Sequence, residues 1–234
     1  MSTNKIFCFG DGYAHGHIWP EWPQILQALL PSNQVVVKSG IGAGNEFLID
    51  QLLNSSCQGH SVIFQWAQAN RFDKLLQDDH WMCMAKQDPV YFFNFETNLS
   101  GTWWLSSASQ NQKIKEYHNF FVQSQQAQLR EKNQKILVEN YLQNQNCDYW
   151  FTSTHEQELF SQTHAEKHLR GKEVQPSPQM HFHFIVECIK PALNLQIDRD
   201  LQQKLQTFIF NTEWKPYDPD RVEIWQNICT QISS

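Results

Sequence analysis

Short apolar runs alternate with helix-like segments in the first third of the chain, and this alternation constrains the fold more than any other feature. Buried strands are predicted at 5–9, 34–38 and 61–66. Between them lie two helical patterns, 19–30 and 46–53, whose apolar residues recur every three or four positions. Repeats of this kind build βαβ units around a parallel sheet. We therefore expect an α/β fold, a flavodoxin-like three-layer α/β/α sandwich with a parallel sheet of four or five strands.

The rest of the chain adds a fourth predicted strand, at 148–152, and several helices. The stretch 109–145 is polar, contains neither proline nor glycine and carries an irregular apolar stripe. We predict that it forms a long helix covering the sheet. Another helix is predicted at 178–193, because it opens on a proline and Ser177 stands where a helix cap is expected.

The composition is that of a globular protein. The 234 residues carry a net charge of -6 and 41% hydrophobic residues, without a Lys/Arg cluster or a membrane-length apolar stretch. We therefore expect neither nucleic acid nor a membrane as partner. Six cysteines without Cys-x-x-Cys spacing are typical of reduced thiols in a cytoplasmic protein. We interpret 1–234 as a single domain with a helical insert at about 74–145 and a C-terminal extension from about 194.

Unusual residues follow the predicted strands, at the carboxyl edge where open α/β sheets place their sites. Four motif segments read, in chain order, GDGYAHG, SGIGAGNE, QWAQANRFD and VQPSPQMH. Their order resembles the SGNH or GDSL hydrolase superfamily, whose blocks hold a nucleophilic serine, a glycine, an asparagine and a terminal Asp-x-x-His. The likeness covers 5–73 and 172–193, and it is greatest to compact stand-alone members from phages and marine bacteria.

The resemblance implies a ligand cleft at the matching positions. Gly42 or Gly44 would be the backbone donor of an oxyanion hole, and Asn70 would be its side-chain donor. The implied ligand is a small acylated or carbohydrate-type molecule, for which tryptophan rings are a suitable surface, although packing is their more common role. The residues expected to bind it are Gly12, Tyr13, Gly42, Gly44, Asn45, Trp66, Asn70, Arg71, Gln175 and His181.

The aligned positions lack the family's catalytic triad. Gly12 replaces the serine, Lys172 the aspartate and Gln175 the histidine. Glycine offers no nucleophile, and glutamine cannot exchange a proton near neutral pH, so acyl-serine catalysis is not expected. We expect a protein that binds its ligand without hydrolysing it and uses no cofactor. Asp11, beside Gly12, is the candidate catalytic residue.

Two alternatives stay open from the sequence alone. One is an ester hydrolase of non-serine mechanism, in which Asp11 or a metal ion activates water; the histidines of HGH at 15–17 and HFH at 181–183 would hold the metal. The other is a phage structural or host-interaction protein. In that case the tail after residue 194 and the Trp-rich insert would contact a virion or host protein.

Overall fold

A computed structural model describes residues 4–11, 14, 19–40, 43–67, 69, 71–75, 81–84, 90–92, 102–104, 124–153, 156, 176–215 and 218–233. Between 71 and 104 the side chain of Asp73 alone is described. Four parallel strands form the central sheet in the order β2-β1-β3-β8. These strands are β1 (Lys5–Gly10), β2 (Gln34–Ser39), β3 (Ser61–Trp66) and β8 (Asp148–Ser153). The predicted parallel α/β sheet is confirmed.

Helices cover both faces of this sheet. They are α1 (Trp22–Leu29), α2 (Asn45–Leu53), α3 (Ser124–Asn144), α4 (Pro178–Phe184), α5 (Arg199–Asn211) and α6 (Arg221–Ser233). Because side chains alternate along a strand, β1 sends Ile6 and Cys8 to one face and Phe7 and Phe9 to the other. The first face packs on α1, α4, α5 and α6, and the second on α2 and α3. This is the three-layer flavodoxin-like arrangement that the sequence predicts.

The predicted helical insert is only partly helical. A second, mixed sheet precedes α3, in the order β4-β7-β5-β6. Its strands are β4 (Arg71–Leu75), β5 (Trp81–Met84), β6 (Val90–Phe92) and β7 (Thr102–Trp104). The described helix of this segment is Ser124–Asn144, and the earlier part of the predicted helix, 109–123, lies outside the described residues. The short aromatic runs of β5 and β7 lack the length and clear alternation by which the other strands were recognised.

The C-terminal extension packs on the sheet rather than standing apart from it. Leu205 and Ile209 of α5, with Ile228 and Ile232 of α6, are buried in the same cluster as α1. Trp214 follows α5 in the sequence and precedes α6. Its side chain is buried, and its indole donates to the Ile209 carbonyl at 2.9 Å. Trp19, Trp22 and Trp66 are buried as well, so the described tryptophan side chains serve in packing.

Helix α4 begins as its sequence predicts. The Ser177 hydroxyl accepts a hydrogen bond from the Met180 N–H at 3.4 Å, and Pro178 occupies the first turn. The helix passes into a π-helical turn at Ile185–Ile189, followed by a last α-helical turn at Lys190–Ala192. Pro191 explains this change of period, because proline removes one backbone donor and crowds the preceding turn. Within the described parts of the chain, no helix combines the length and apolarity needed to cross a bilayer.

Candidate functional site

The winding of the sheet changes direction between β1 and β3, and this point is the expected site of an open α/β fold. Gly10 ends β1, and Gln65 lies near the end of the neighbouring strand β3. A Cβ added to Gly10 would lie 2.6 Å from the Gln65 Oε1 and 2.8 Å from the Ala14 Cβ. Glycine leaves room here for the Ala14 Cβ and the fully buried Gln65 side chain, both of which a larger residue would displace.

The turn after β1 is fastened to the end of β2. The carbonyl of Asp11 accepts the Ala14 N–H at 3.0 Å, which closes the turn. The Ser39 hydroxyl then donates to the Ala14 carbonyl at 3.0 Å, while Gly40 N–H donates to the Gly10 carbonyl at 3.3 Å. Asp11 itself is buried, with 3% of its surface exposed. The first two motif segments thus meet at one edge, as predicted from their order.

The last motif segment joins the same edge through Trp19. Its indole donates to the carbonyl of Pro176 at 2.7 Å, and both residues are buried. Pro176 directly precedes the α4 cap, and His181 lies one turn into that helix, where 1% of its surface is exposed. The tertiary structure therefore brings the first and last segments together across most of the chain.

The amino terminus of α2 already holds an anionic group of the chain itself. The Asp73 carboxylate accepts the Gly44 N–H at 2.9 Å and the Phe47 N–H at 2.8 Å. A Cβ on Gly44 would come within 2.7 Å of that carboxylate, which explains the glycine. Because the Gly44 N–H is engaged by Asp73, it is not disposed to stabilise an oxyanion of a ligand.

Asn45 fastens the end of β3. Its Oδ1 accepts the Ala67 N–H at 2.8 Å, and its Nδ2 donates to the Ala67 carbonyl at 3.3 Å. The backbone N–H and carbonyl of Ala67 are thereby both hydrogen-bonded by the Asn45 side chain, and Asn45 is 3% exposed. The contacts give Asn45 a structural role, and its expected contact with a ligand stays a prediction.

A cavity of about 430 Å³ opens at the carboxyl ends of β3 and β8. Its floor is aromatic and its rim is polar and charged, with one lysine and two glutamates from α3 and the end of β8. The volume lies within the range of small-molecule sites. The lining residues are Trp66, Ala67, Ala69, Glu131, Lys135, Phe151, Thr152, Ser153 and Glu156.

The rim of this cavity is ordered by local contacts. Lys135 Nζ lies 2.8 Å from Glu131 Oε1 and 5.8 Å from the centre of the Trp66 ring, within the range of a cation–π contact. Ser153 and Glu156 form a reciprocal capping pair: Ser153 N–H donates to Glu156 Oε2 at 2.9 Å, and Glu156 N–H donates to Ser153 Oγ at 3.0 Å.

Trp66 is a buried part of the cavity floor rather than an open stacking surface. Its ring is 1% exposed and lies 4.4 Å from the Phe64 ring and 5.7 Å from the Phe151 ring, between centroids. Stacking of a sugar on Trp66 therefore requires the Lys135 side chain to move. The exposed lysine has the freedom to do so, because 46% of its side chain is in contact with solvent.

Helix α3 is held over this edge by Arg130. The guanidinium donates to the Ala69 carbonyl at 2.9 Å and lies 3.4 Å from Glu46 Oε1 on α2. Gln134 donates to the same carboxylate at 3.2 Å. These contacts fix the helix that carries Glu131 and Lys135 relative to the sheet.

A second cavity, of about 460 Å³, lies between α1, the edge strand β2 and α6. Pro23, Ala28, Val35, Trp225 and Ile232 are among the residues that line it. None of the four motif segments contributes to it, and we therefore place the candidate site at the carboxyl edge.

The described residues give no support to the metal alternative. They contain no group of three His, Cys, Asp or Glu side chains arranged to hold a metal ion. His181 is buried, and burial lowers its pKa to about 3, whereas His183 is partly exposed and lies 3.3 Å from Glu187. The two histidines of HFH have these different environments because neighbouring helical positions face different directions. His15 and His17 lie outside the described residues.

Five predicted site residues are placed by the structure: Asp11, Gly44, Asn45, Trp66 and His181. Arg71 is described by its backbone in β4. The other predicted positions lie outside the described residues; they are Gly12, Tyr13, Gly42, Asn70 and Gln175, with Lys172. Asp11 and Trp66 lie at two strand ends, Gly44 and Asn45 at the start of α2, and His181 near the start of α4.

Sequence reasoning missed the other half of the cavity. Glu131 and Lys135 come from a helix whose polar sequence gave no sign of which face meets the sheet. Ser153 ends β8 and Glu156 lies three residues later, so the rule that placed the other motif segments at strand ends would have found them.

Comparison with family models, curated proteins and solved structures finds no match to this chain. The resemblance to SGNH hydrolases therefore rests on the four motif segments, and we carry it forward as a proposal.

Proposed function

We propose that this chain is an SGNH-hydrolase-like protein that binds a small acylated or carbohydrate-type molecule without hydrolysing it. The cavity at the carboxyl ends of β3 and β8 is the observation that carries this proposal. It combines an apolar floor for an acyl chain or a sugar face with hydroxyl, carboxylate and ammonium groups at its rim. Such a mixture fixes the orientation of a small ligand.

The absence of hydrolysis follows from the residues at the motif positions. Gly12 supplies no hydroxyl nucleophile, and Gln175 and Lys172 supply neither a base nor a carboxylate to orient one. Removal of a serine-hydrolase triad costs roughly a millionfold in turnover. The engagement of the Gly44 N–H by Asp73 supports the same conclusion, since it removes one candidate oxyanion donor.

Hydrolysis of short p-nitrophenyl esters tests the mechanism. The comparison is between the parent and the triple variant Gly12→Ser, Lys172→Asp, Gln175→His. An inert parent and a triple variant with measurable turnover support the proposal. A parent that hydrolyses the esters, and loses this activity on Asp11→Asn or with a chelator, overturns it in favour of the non-serine hydrolase. Inactivity of both proteins counts against the resemblance itself.

Ligand binding at the cavity is tested separately, with N-acetylglucosamine and hexanoate as sugar and acyl probes. Isothermal titration compares Lys135→Met with Lys132→Met, an exposed residue of the same helix that does not line the cavity. We expect the first variant to change probe affinity several-fold and the second to leave it unchanged. Equal affinities in the two variants would place binding elsewhere.

A protein partner is the second candidate function, favoured by one feature of α3. Leu129, Ile136 and Leu137 expose 58%, 49% and 52% of their surface at helical spacing. The partner in this proposal is a virion or host protein. The surface on α3 differs from the tail surface expected from sequence, because the tail helices pack on the sheet. Loss of association in a Leu129→Gln, Leu137→Gln variant, with ester and probe assays unchanged, supports it.

A further inference from the structure

Two cysteines from distant parts of the chain meet at the amino edge of the sheet, opposite the cavity. Cys57 lies in the connection from α2 to β3, and Cys147 lies in the connection from α3 to β8. The Cys147 Sγ is 3.1 Å from the Cys57 carbonyl oxygen, although the residues are 90 positions apart. The nearby Cys57 side chain also raises the pKa of the Cys147 thiol.

The two connections are held together by further bonds. Gly59 N–H donates to the Gln145 carbonyl at 2.9 Å, and His60 N–H donates to the Cys57 carbonyl at 3.0 Å. The adjoining strand starts pair in parallel, with Ser61 opposite Asp148. The contact between the cysteines is thus set by the sheet itself rather than by a chance approach of two loops.

We propose that Cys57 and Cys147 are a redox pair that closes into a disulfide when a hydroperoxide reaches this edge. Cys57 is 1% exposed, whereas Cys147 is partly exposed, so the oxidant meets Cys147 first. The peroxide accepts two electrons from the Cys147 sulfur and gives a sulfenic acid and an alcohol, or water from hydrogen peroxide. The Cys57 sulfur then attacks the sulfenic sulfur. The S–O bond breaks, and the hydroxide leaves as water with the Cys57 proton.

The surroundings of the pair make this oxidation slow at neutral pH. Burial and the neighbouring Cys57 thiol raise the pKa of Cys147 to about 12, and the backbone N–H groups of His60 and Gly59 oppose this shift. The pKa of Tyr141 on α3 is raised as well, mainly by burial and also by the nearby Cys57. Because the thiolate is the reactive form, the rate should rise roughly tenfold per pH unit between pH 7 and pH 9. The pair therefore responds to sustained oxidation rather than to a brief pulse.

The disulfide would enclose the second sheet and α3, which carries Lys135 of the cavity. A crosslink that closes a long loop restricts the unfolded chain, so the oxidised protein should melt at a temperature higher by about 5–10 °C. Oxidation would thus hold α3 over the site through a crosslink at the opposite edge of the sheet.

The test treats the full chain with hydrogen peroxide at pH 7, 8 and 9, followed by maleimide blocking and non-reducing peptide mapping. We expect a peptide joining Cys57 to Cys147, an intact mass that is lower by about 2 Da before blocking, a higher melting temperature and reversal by dithiothreitol. Cys57→Ala should abolish the crosslinked peptide, and Cys147→Ser provides a second variant at a partly exposed position. Cys188→Ala is the matched control and should leave the crosslink unchanged, because Cys188 lies on the other side of the sheet.

Two results would overturn the proposal. One is modification of Cys147 to a sulfinic acid while Cys57 stays reduced. The other is a Cys147 that stays unmodified under conditions that fully oxidise Cys188 and Cys229, whose pKa values burial also raises.

Discussion

The indole of Trp19 donates a 2.7 Å hydrogen bond to the carbonyl of Pro176, across 157 residues of sequence. Trp19 lies between β1 and α1, and Pro176 immediately precedes the cap of α4. This bond joins the loop after β1 to the segment that directly precedes α4. It therefore links the chain just after the first motif segment to the last motif segment.

We predict that Trp19→Phe destabilises the protein more than Trp22→Phe does, by about 1–2 kcal/mol, because a buried carbonyl loses its donor. Both tryptophans are buried, and both substitutions remove the same atoms. The Trp22 Nε1 makes no hydrogen bond in the described structure, so it is the matched control. Urea unfolding measures the difference, and equal losses would show that the Trp19–Pro176 bond contributes little.

Asp73 should stabilise α2 from the second sheet. Its carboxylate accepts two N–H groups of the first turn, as an N-cap does. We predict that Asp73→Ala lowers the free energy of unfolding by about 1–2 kcal/mol, and Asp73→Asn by less because one oxygen remains. Urea denaturation of both variants tests this. A loss below about 0.3 kcal/mol in Asp73→Ala would contradict it.

His181 should make the protein less stable in mild acid. Burial lowers its pKa to about 3 in the folded state, against 6.5 in the unfolded chain. Between these values the unfolded state binds the extra proton, so the stability is fully present above about pH 6.5 and is lost as the pH falls towards 3. We predict a contribution of about 1.4 kcal/mol per pH unit below pH 6.

The measurement is the free energy of unfolding at pH 7, 6 and 5 in the parent and in His181→Gln. The difference between the two proteins should shrink or reverse as the pH falls. His183→Gln is the control, because His183 is partly exposed and pairs with Glu187 on its own helix. An unchanged pH slope in His181→Gln would mean that other groups cause the acid sensitivity.

Gln27 should protect the edge of the main sheet. β2 is an edge strand, and its Val35 N–H donates to Gln27 Oε1 at 2.8 Å. The Gln27 amide donates in turn to the carbonyls of Asn33, at 2.9 Å, and Leu30, at 3.3 Å. An edge strand with unpaired backbone groups is a template for aggregation.

We predict that Gln27→Ala lowers stability by about 1–2 kcal/mol and increases light scattering on heating. Gln27→Glu keeps an acceptor for Val35 but loses both donors, so it should fall between the parent and the alanine variant. Identical scattering in all three proteins would show that the edge is protected by other means.

The alternation of strand and helix patterns was sufficient to predict the parallel sheet, because its strands leave continuous apolar runs of β-branched and aromatic residues. The expectation that the strand at 34–38 is buried was wrong: β2 is an edge strand, and Val37 is exposed. Ser177 and Pro178 were likewise sufficient for the start of α4, since capping is a local interaction. The second sheet was not predicted: its strands are three to five residues long, and β4 pairs with the distant strand β7, with Arg71 opposite Trp104. Pairing of that kind leaves little local signal.

The sequence alone determined the fold class, the strands of the main sheet and the position of the motif segments at its carboxyl edge, because hydrophobic period and turn chemistry are local properties. It also determined that Gly12 and Gln175 cannot perform acyl-serine catalysis. Only the tertiary structure decided that Asp73 occupies the start of α2, that Lys135 lies over Trp66, and that Cys57 meets Cys147. Each of these contacts joins residues at least 26 positions apart, and such pairs are fixed by how the elements pack rather than by any pattern within one element.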